Sequence, residues 1–286
     1  MYRLLLALFM IFFINANSQS LGEERIRKLN NTIARITIDS LGASGTGFVV
    51  SKMGHIATCN HVIQPAFYRN AKTKNIDSIR VIHATFRSGN EKEYVVLPEY
   101  YGDEYLNSLI KDFIILAPRE VSSKEYDFLT IGRWEDVKEG DEIYTAGFPL
   151  QIKQRIISKG VFSTKYEGQQ NLINGNGKQT SYPRKEAWVD LTLNKGNSGG
   201  PIILMGKTAK KDKVVGLATF LWNPYANNSF KLSQKLNEIE RQNPNLNVNK
   251  LLAYMFEAIS KNSLGISGAV PSDGIYLKLQ QLNQEQ

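Results

Sequence analysis

Three side chains, far apart along the chain, each stand in a setting that suits one role in nucleophilic catalysis. Ser198 lies in Gly196-Asn197-Ser198-Gly199-Gly200-Pro201. Glycines on both sides let the backbone turn sharply, leave the hydroxyl exposed and free the nearby amides to converge on one spot. That geometry suits a nucleophile beside its own oxyanion hole, although a glycine-rich hexamer alone is also a plain tight turn. His61 follows the apolar run Ile56-Ala57-Thr58, at the end of what reads as a buried strand. A histidine there is held rigidly yet reaches solvent, as a general base must. Of the other two histidines, His55 follows Met53-Gly54 at an expected hairpin turn and reads as solvated, and His83 sits inside a strand-like run as a structural residue.

Asp112 leads into Phe113-Ile114-Ile115-Leu116. A carboxylate entering so apolar a run has to be paired, because an isolated buried charge is very costly, and an imidazole N–H is a natural partner. Asp77, Asp103 and Asp127 stand in more polar contexts. Cys59 is the single cysteine; it reads as a small buried thiol of the core rather than a nucleophile.

The elements that must position these residues are short β-rich runs separated by Gly, Asn and Asp. Thr32–Ile38, Gly45–Val50, His55–Thr58, Ser78–Phe86, Glu93–Leu97, Phe113–Leu116 and Glu142–Gly147 form one series. Arg155–Ser163, Ala187–Leu193, Ile202–Leu204 and Val214–Phe220 form another, with Glu135–Asp141 as the link between two half-domains. The spacing predicts barrel or sandwich architecture rather than alternating β and α units. Leu21–Leu29 reads as a short charged helix, and the polar stretch Glu167–Tyr182 as a long loop. Asn223–Asn262 reads as a helical pair broken at Asn243-Pro244-Asn245, and Ile275, Leu279 and Leu282 mark a closing amphipathic helix.

Met1-Tyr2-Arg3 followed by eleven apolar residues, Leu4 to Ile14, and then small polar ones reads as a secretory signal cleaved after Ser18. The run is too short for a comfortable membrane span, so an exported, periplasmic or secreted protein is expected, without stable membrane insertion. With one cysteine it can form no internal disulfide and must rely on core burial, for which 42% apolar content is ample. The net charge of +8 is scattered. Its densest cluster, Lys207, Lys210, Lys211 and Lys213, reads as a hydrated hairpin tip, since no aromatic residues interleave and no nucleic-acid motif accompanies it.

Taken with their surroundings, the three positions resemble the trypsin-like, chymotrypsin-fold serine peptidases. The matching motifs are Gly45-Thr46-Gly47-Phe48-Val49-Val50, Thr58-x-x-His61-Val62, Asp112-Phe-Ile-Ile-Leu and Gly196 to Pro201. Within that class the chain is most similar to the bacterial Deg/HtrA branch, through Val189 to Ser198, Gly140 to Pro149 and Gly265 to Ser272. The resemblance covers roughly Thr32 to Leu282. It implies two six-stranded antiparallel β-barrels, an all-β fold. The expected organisation is a signal peptide at 1–18 and one peptidase domain at 19–286. Within it, barrels span about 30–134 and about 140–286, with the helical insertion at about 223–262. This expected organisation leaves no residues for a PDZ domain after Pro271.

The resemblance implies that Ser198 attacks a peptide carbonyl, that His61 takes and returns the proton, and that Asp112 orients His61. The N–H groups of Gly196 and Ser198 would form the oxyanion hole. No cofactor or metal enters this chemistry. Asn197 is neutral where zymogen-activated relatives carry an aspartate, so activation by an N-terminal ion pair is not available. Thr192 is placed at the base of the pocket for the residue before the cut, with Leu217, Ala218 and Thr219 as one wall, and a small or medium apolar residue is expected there. Protein or peptide substrates are the expected partners. The competing readings are a catalytically inactive peptidase-like binding protein and a binder of anionic polymers or membrane surfaces.

Overall fold

The computed structural model describes residues 20–39, 41, 44–69, 76–101, 104–173, 178–221 and 266–284, together with Gln234, Lys235, Glu238, Arg241, Gln242, Leu252 and Met255. The expected signal peptide lies outside the described residues, as does most of the expected helical pair, whose seven described positions are helical. No helix among the described residues is long and apolar enough to cross a membrane.

A charged helix, α1 (Glu23–Thr32), leads into the first barrel, whose strands are β1 (Ile33–Ile38), β2 (Ser44–Val49), β3 (Ile56–Thr58), β6 (Ile82–Phe86), β7 (Glu91–Val96) and β8 (Ile114–Pro118). They close in the order β1-β2-β3-β8-β7-β6, and a small two-stranded sheet of β4 (Phe67–Arg69) and β5 (Ile76–Ile79) stands outside. The expected single strand Ser78–Phe86 is thus two strands with different partners. Two short helices complete this half, α2 (Asn60–Ile63) and α3 (Glu104–Lys111).

The second barrel is made of β9 (Glu142–Gly147), β10 (Ile156–Ile173), β11 (Gln179–Asp190), β12 (Pro201–Leu204), β13 (Lys213–Leu221) and β14 (Ile266–Pro271). It closes as β10-β11-β14-β13-β12-β9, and α4 (Asp273–Gln284) ends the described chain. Alternation explains the strands: in β1 the buried Ala34, Ile36 and Ile38 share one face while Arg35 and Thr37 on the other are half-buried, and only Ile33, at the start of that second face, is buried as well. The first-barrel core continues through Tyr144, Ala146, Phe148 and Leu217, so the barrels share one apolar seam.

The expected loop at Glu167–Tyr182 is instead a ribbon. β10 pairs with β9 only over 156–161 and β11 with β14 only over 187–190, yet the two pair with each other from Lys165↔Ala187 to Ile173↔Gln179. Outside the barrel neither strand has a core to face. Apolar alternation therefore disappears while the backbone ladder persists. His55 also departs from expectation: it is buried, its Nδ1 lies 2.8 Å from Ser51 Oγ, and burial pushes its pKa down.

α1 ties the barrels together. Arg25 donates from Nε to Asp212 Oδ2 (2.7 Å) and from Nη2 to Asp212 Oδ1 (3.0 Å) and the Gly206 carbonyl (2.7 Å), while Leu29 is buried in the first core. α4 packs back the other way. A Cβ on Gly274 would lie 2.1 Å from the Phe113 ring, and Asp273 accepts the Trp134 N–H at 2.8 Å.

Candidate active site

His61 is positioned by a strand end that is fixed on every side. Ile56, Ala57 and Thr58 are fully buried, and Thr58 Oγ1 donates to the Thr46 carbonyl (2.7 Å). The Cys59 thiol donates to the Ala218 carbonyl at 3.4 Å, and Asn60 Nδ2 to Ser108 Oγ at 2.7 Å. The single turn α2 then carries His61 outward, with its side chain 42% exposed.

Asp112 stands at the corner between α3 and β8 with φ +51. Aspartate tolerates this left-handed conformation better than most residues, at roughly 1–2 kcal/mol. The reversal sends the next residues into the barrel wall and turns the carboxylate under His61. Oδ1 and Oδ2 lie 3.0 and 2.8 Å from His61 Nδ1, and Oδ1 accepts the His61 backbone N–H at 3.1 Å. Thr219 Oγ1, from β13 of the second barrel, donates to Oδ2. Burial drives the carboxyl pKa up. The His61 ring, the Thr219 hydroxyl and the His61 N–H outweigh it and hold the net value below the ordinary one. An ionised carboxylate only accepts, so it places the ring proton on Nδ1 and leaves the Nε2 lone pair for a proton from elsewhere.

The serine loop is clamped between β2 and β13. Thr46 donates its N–H to the Ser198 carbonyl (2.9 Å) and its hydroxyl to the Gly196 carbonyl (2.7 Å), and accepts the Phe148 N–H (3.1 Å). Gly199 N–H donates to Ala218 O (2.8 Å), and Ala218 N–H to Gly200 O (2.9 Å). A Cβ on Gly45 would lie 2.5 Å from Val62 and 3.1 Å from the Ser198 carbonyl, so the serine backbone and the residue after His61 meet across one glycine. Gly199 has φ +81, and a Cβ there would lie 2.2 Å from Thr58 Oγ1 and 2.3 Å from Thr46 O. Within the loop Asn197, Gly199 and Gly200 use their N–H groups in backbone bonds; those of Gly196 and Ser198 form none among the described residues.

Of the expected pocket residues, Thr192 is exposed. Leu217 and Ala218 are buried with their side chains in the two cores, and Thr219 turns its hydroxyl to Asp112. Any wall these three form is therefore main chain, not apolar side chain. Cys59, His61 and Asp112 offer ligand atoms within 4.8 Å of one another. Burial and then the Asp112 charge push the Cys59 thiol well above its ordinary pKa, in keeping with a core thiol that donates to the Ala218 carbonyl. Sequence reasoning missed the positioning hydroxyls of Thr46 and Thr219. Their only local signal is a threonine between two glycines, for Thr46, and between two apolar residues, for Thr219.

Two closed six-stranded barrels, with the His61–Asp112 pair carried by the first and the Ser198 loop by the second, define a double-barrel fold. A family model for the trypsin-like peptidase domain matches residues 45–217, and the chain belongs to that family. Its similar proteins include a probable periplasmic serine endoprotease DegP-like of Chlamydia muridarum, 25% identical over 159 residues, and serine protease HTRA4 of Homo sapiens, 29% identical over 160 residues. Each match covers 56% of this chain but only 25% and 28% of those proteins. Among solved structures, the HtrA-type protease AlgW with tripeptide has a TM-score of 0.52 at 17% identity, covering 90% of this chain and 61% of that one; a variant of it scores 0.55. That likeness supports the fold.

Proposed function

We propose that this chain is an exported serine endopeptidase. The observation that carries the reading is the His61–Asp112 pair, locked by three donors to the carboxylate, with the Ser198 loop clamped beside it by Thr46. Ser198 Oγ attacks the scissile carbonyl as His61 Nε2 accepts its proton. The tetrahedral oxyanion is received by the Gly196 and Ser198 N–H groups, and His61 returns the proton to the leaving amine. Each such donor contributes about 3 kcal/mol in comparable sites. Water repeats the cycle on the acyl-enzyme. Export is supported by the apolar leader at residues 4–14 and by the periplasmic relatives. Thr192 remains the proposed base of the specificity pocket, with an apolar residue before the cut.

A fluorophosphonate probe tests this directly. Wild-type protein is expected to be labelled at Ser198 and to hydrolyse peptides, with both lost in Ser198→Ala and in His61→Ala at unchanged circular dichroism. A folded wild-type protein that takes no label would leave the inactive binding protein as the correct reading.

A further inference from the structure

Beside the serine loop the two barrels enclose a cleft of about 540 Å³ whose charge is one-sided. Arg35 of β1, Arg87 of the β6–β7 turn, and Lys153 and Arg155 before β10 line it, with Phe86 and Phe148 as apolar walls. Glu91 is the one carboxylate in the lining, and it is already engaged by Thr85 Oγ1 (3.2 Å) and His83 Nδ1 (3.4 Å). Arg155 Nε and Nη1 and Arg35 Nε are buried and have no hydrogen-bond partner among the described residues. Buried guanidinium donors left unmatched are a cost that a folded chain ordinarily avoids by pairing. Burial, reinforced by the Arg87 charge, lowers the Arg155 pKa to about 10.

The cleft adjoins the residues that hold the serine loop. Arg35 pairs directly with Thr46 across the β1–β2 ladder, which places the two side chains on one face about 5 Å apart at Cβ. Thr46 is the residue that holds Gly196 and Ser198. The segment that brings Lys153 and Arg155 begins at Phe148, bonded to Thr46, and its Leu150 N–H donates to the Lys195 carbonyl at 2.6 Å, one residue before Gly196. Both rims of the cleft therefore lead into the serine loop.

We propose that this cleft binds the carboxylate of an acidic side chain of the polypeptide being cleaved, a few residues from the scissile bond. This deepens the peptidase reading and rests on it. A carboxylate presents two acceptor oxygens to paired guanidinium groups, and the phenyl walls exclude water from the pair. The site so acts on substrate affinity rather than on the chemical step.

The test compares peptide pairs identical except for Glu or Gln at each position flanking the cut. The Glu peptide is expected to show a KM about tenfold lower at low salt, narrowing as ionic strength rises. In Arg155→Gln the Glu/Gln ratio is expected to fall to near one and in Arg155→Lys to recover in part, with melting temperatures showing both variants folded. Binding of fluorescein-labelled Glu and Gln peptides to Ser198→Ala protein, read by anisotropy, tests the cleft even if no fluorophosphonate labelling occurs and the peptidase reading fails. Equal affinity for the two peptides at every position, or a ratio that survives in Arg155→Gln, overturns the proposal. So does inorganic phosphate that raises the melting temperature while the two peptides bind equally, which would make the cleft a site for a free anion.

Discussion

The two barrels close identically and are used differently. Numbered within each barrel, the strands follow the same cyclic order, 1-2-3-6-5-4. In the first barrel no strand exceeds six residues, and its two contributions to the site are a strand end, His61, and a helix-to-strand corner, Asp112. In the second, β10 and β11 run to 18 and 12 residues, and the contributions are a glycine-bounded loop around Ser198 and the Thr219 hydroxyl on Asp112. Closure fixes register only where strands meet neighbours on both sides, so length beyond the barrel is free while the chain-exit points are not. The side chains proposed to react sit at those exit points, where backbone is rigid and side chains still reach solvent.

The largest effect expected from breaking this division is at the corner. Asp112→Asn should lower kcat for peptide hydrolysis by roughly 10⁴-fold, because the amide no longer enforces the Nδ1–H tautomer. Asp127→Asn is the control. Its carboxylate takes a surface hydrogen bond from Asn31, and activity should not change. Equal damage from both would reassign the carboxylate.

Next is the glycine loop. Gly199→Ala should cost roughly 2–5 kcal/mol in urea unfolding, since the left-handed backbone and the collision with Thr46 O both oppose a Cβ. Gly89→Ala, with φ +83 but nothing within 4 Å of the added carbon, should cost about 1 kcal/mol. A smaller effect is expected where α1 joins the barrels. Arg25→Ala leaves the buried Asp212 only its Tyr144 hydroxyl and Gly206 N–H donors and should cost about 2 kcal/mol. Lys52→Ala, from a pair whose side chains are 62% and 72% exposed, should cost under about 0.5 kcal/mol.

The smallest is a slope. Burial lowers the His55 pKa, so below about pH 6.5 the unfolded chain takes up a proton that the folded ring refuses. Stability is full above that pH and is lost as pH falls toward the lowered folded value. His55→Gln should flatten that part of a melting-temperature profile between pH 8 and 5.

Much of this arrangement was legible beforehand. β9 falls where the residues of Glu142–Gly147 put it, and the buried strands before His61 and after Asp112 announce themselves as apolar runs. The ribbon at 164–186 was not legible, because its pairing is between main chains with no core to impose a pattern. His55 misled for a different reason: Gly54 marks a real turn with φ +86, but the next residue already points inward.

By itself the sequence determined which local segments must be buried and which three side chains stand at their ends, because apolar periodicity and glycine punctuation are local properties of the chain. Only the tertiary structure decided what completes each group. Thr219 reaches Asp112 across 107 positions, Thr46 reaches Gly196 across 150, and Arg35 meets Arg155 only where the barrels close against each other. A hydrogen-bond donor carries no local mark of its acceptor, and a charge carries none of its missing partner. Those facts exist only once the chain has brought distant residues to one place.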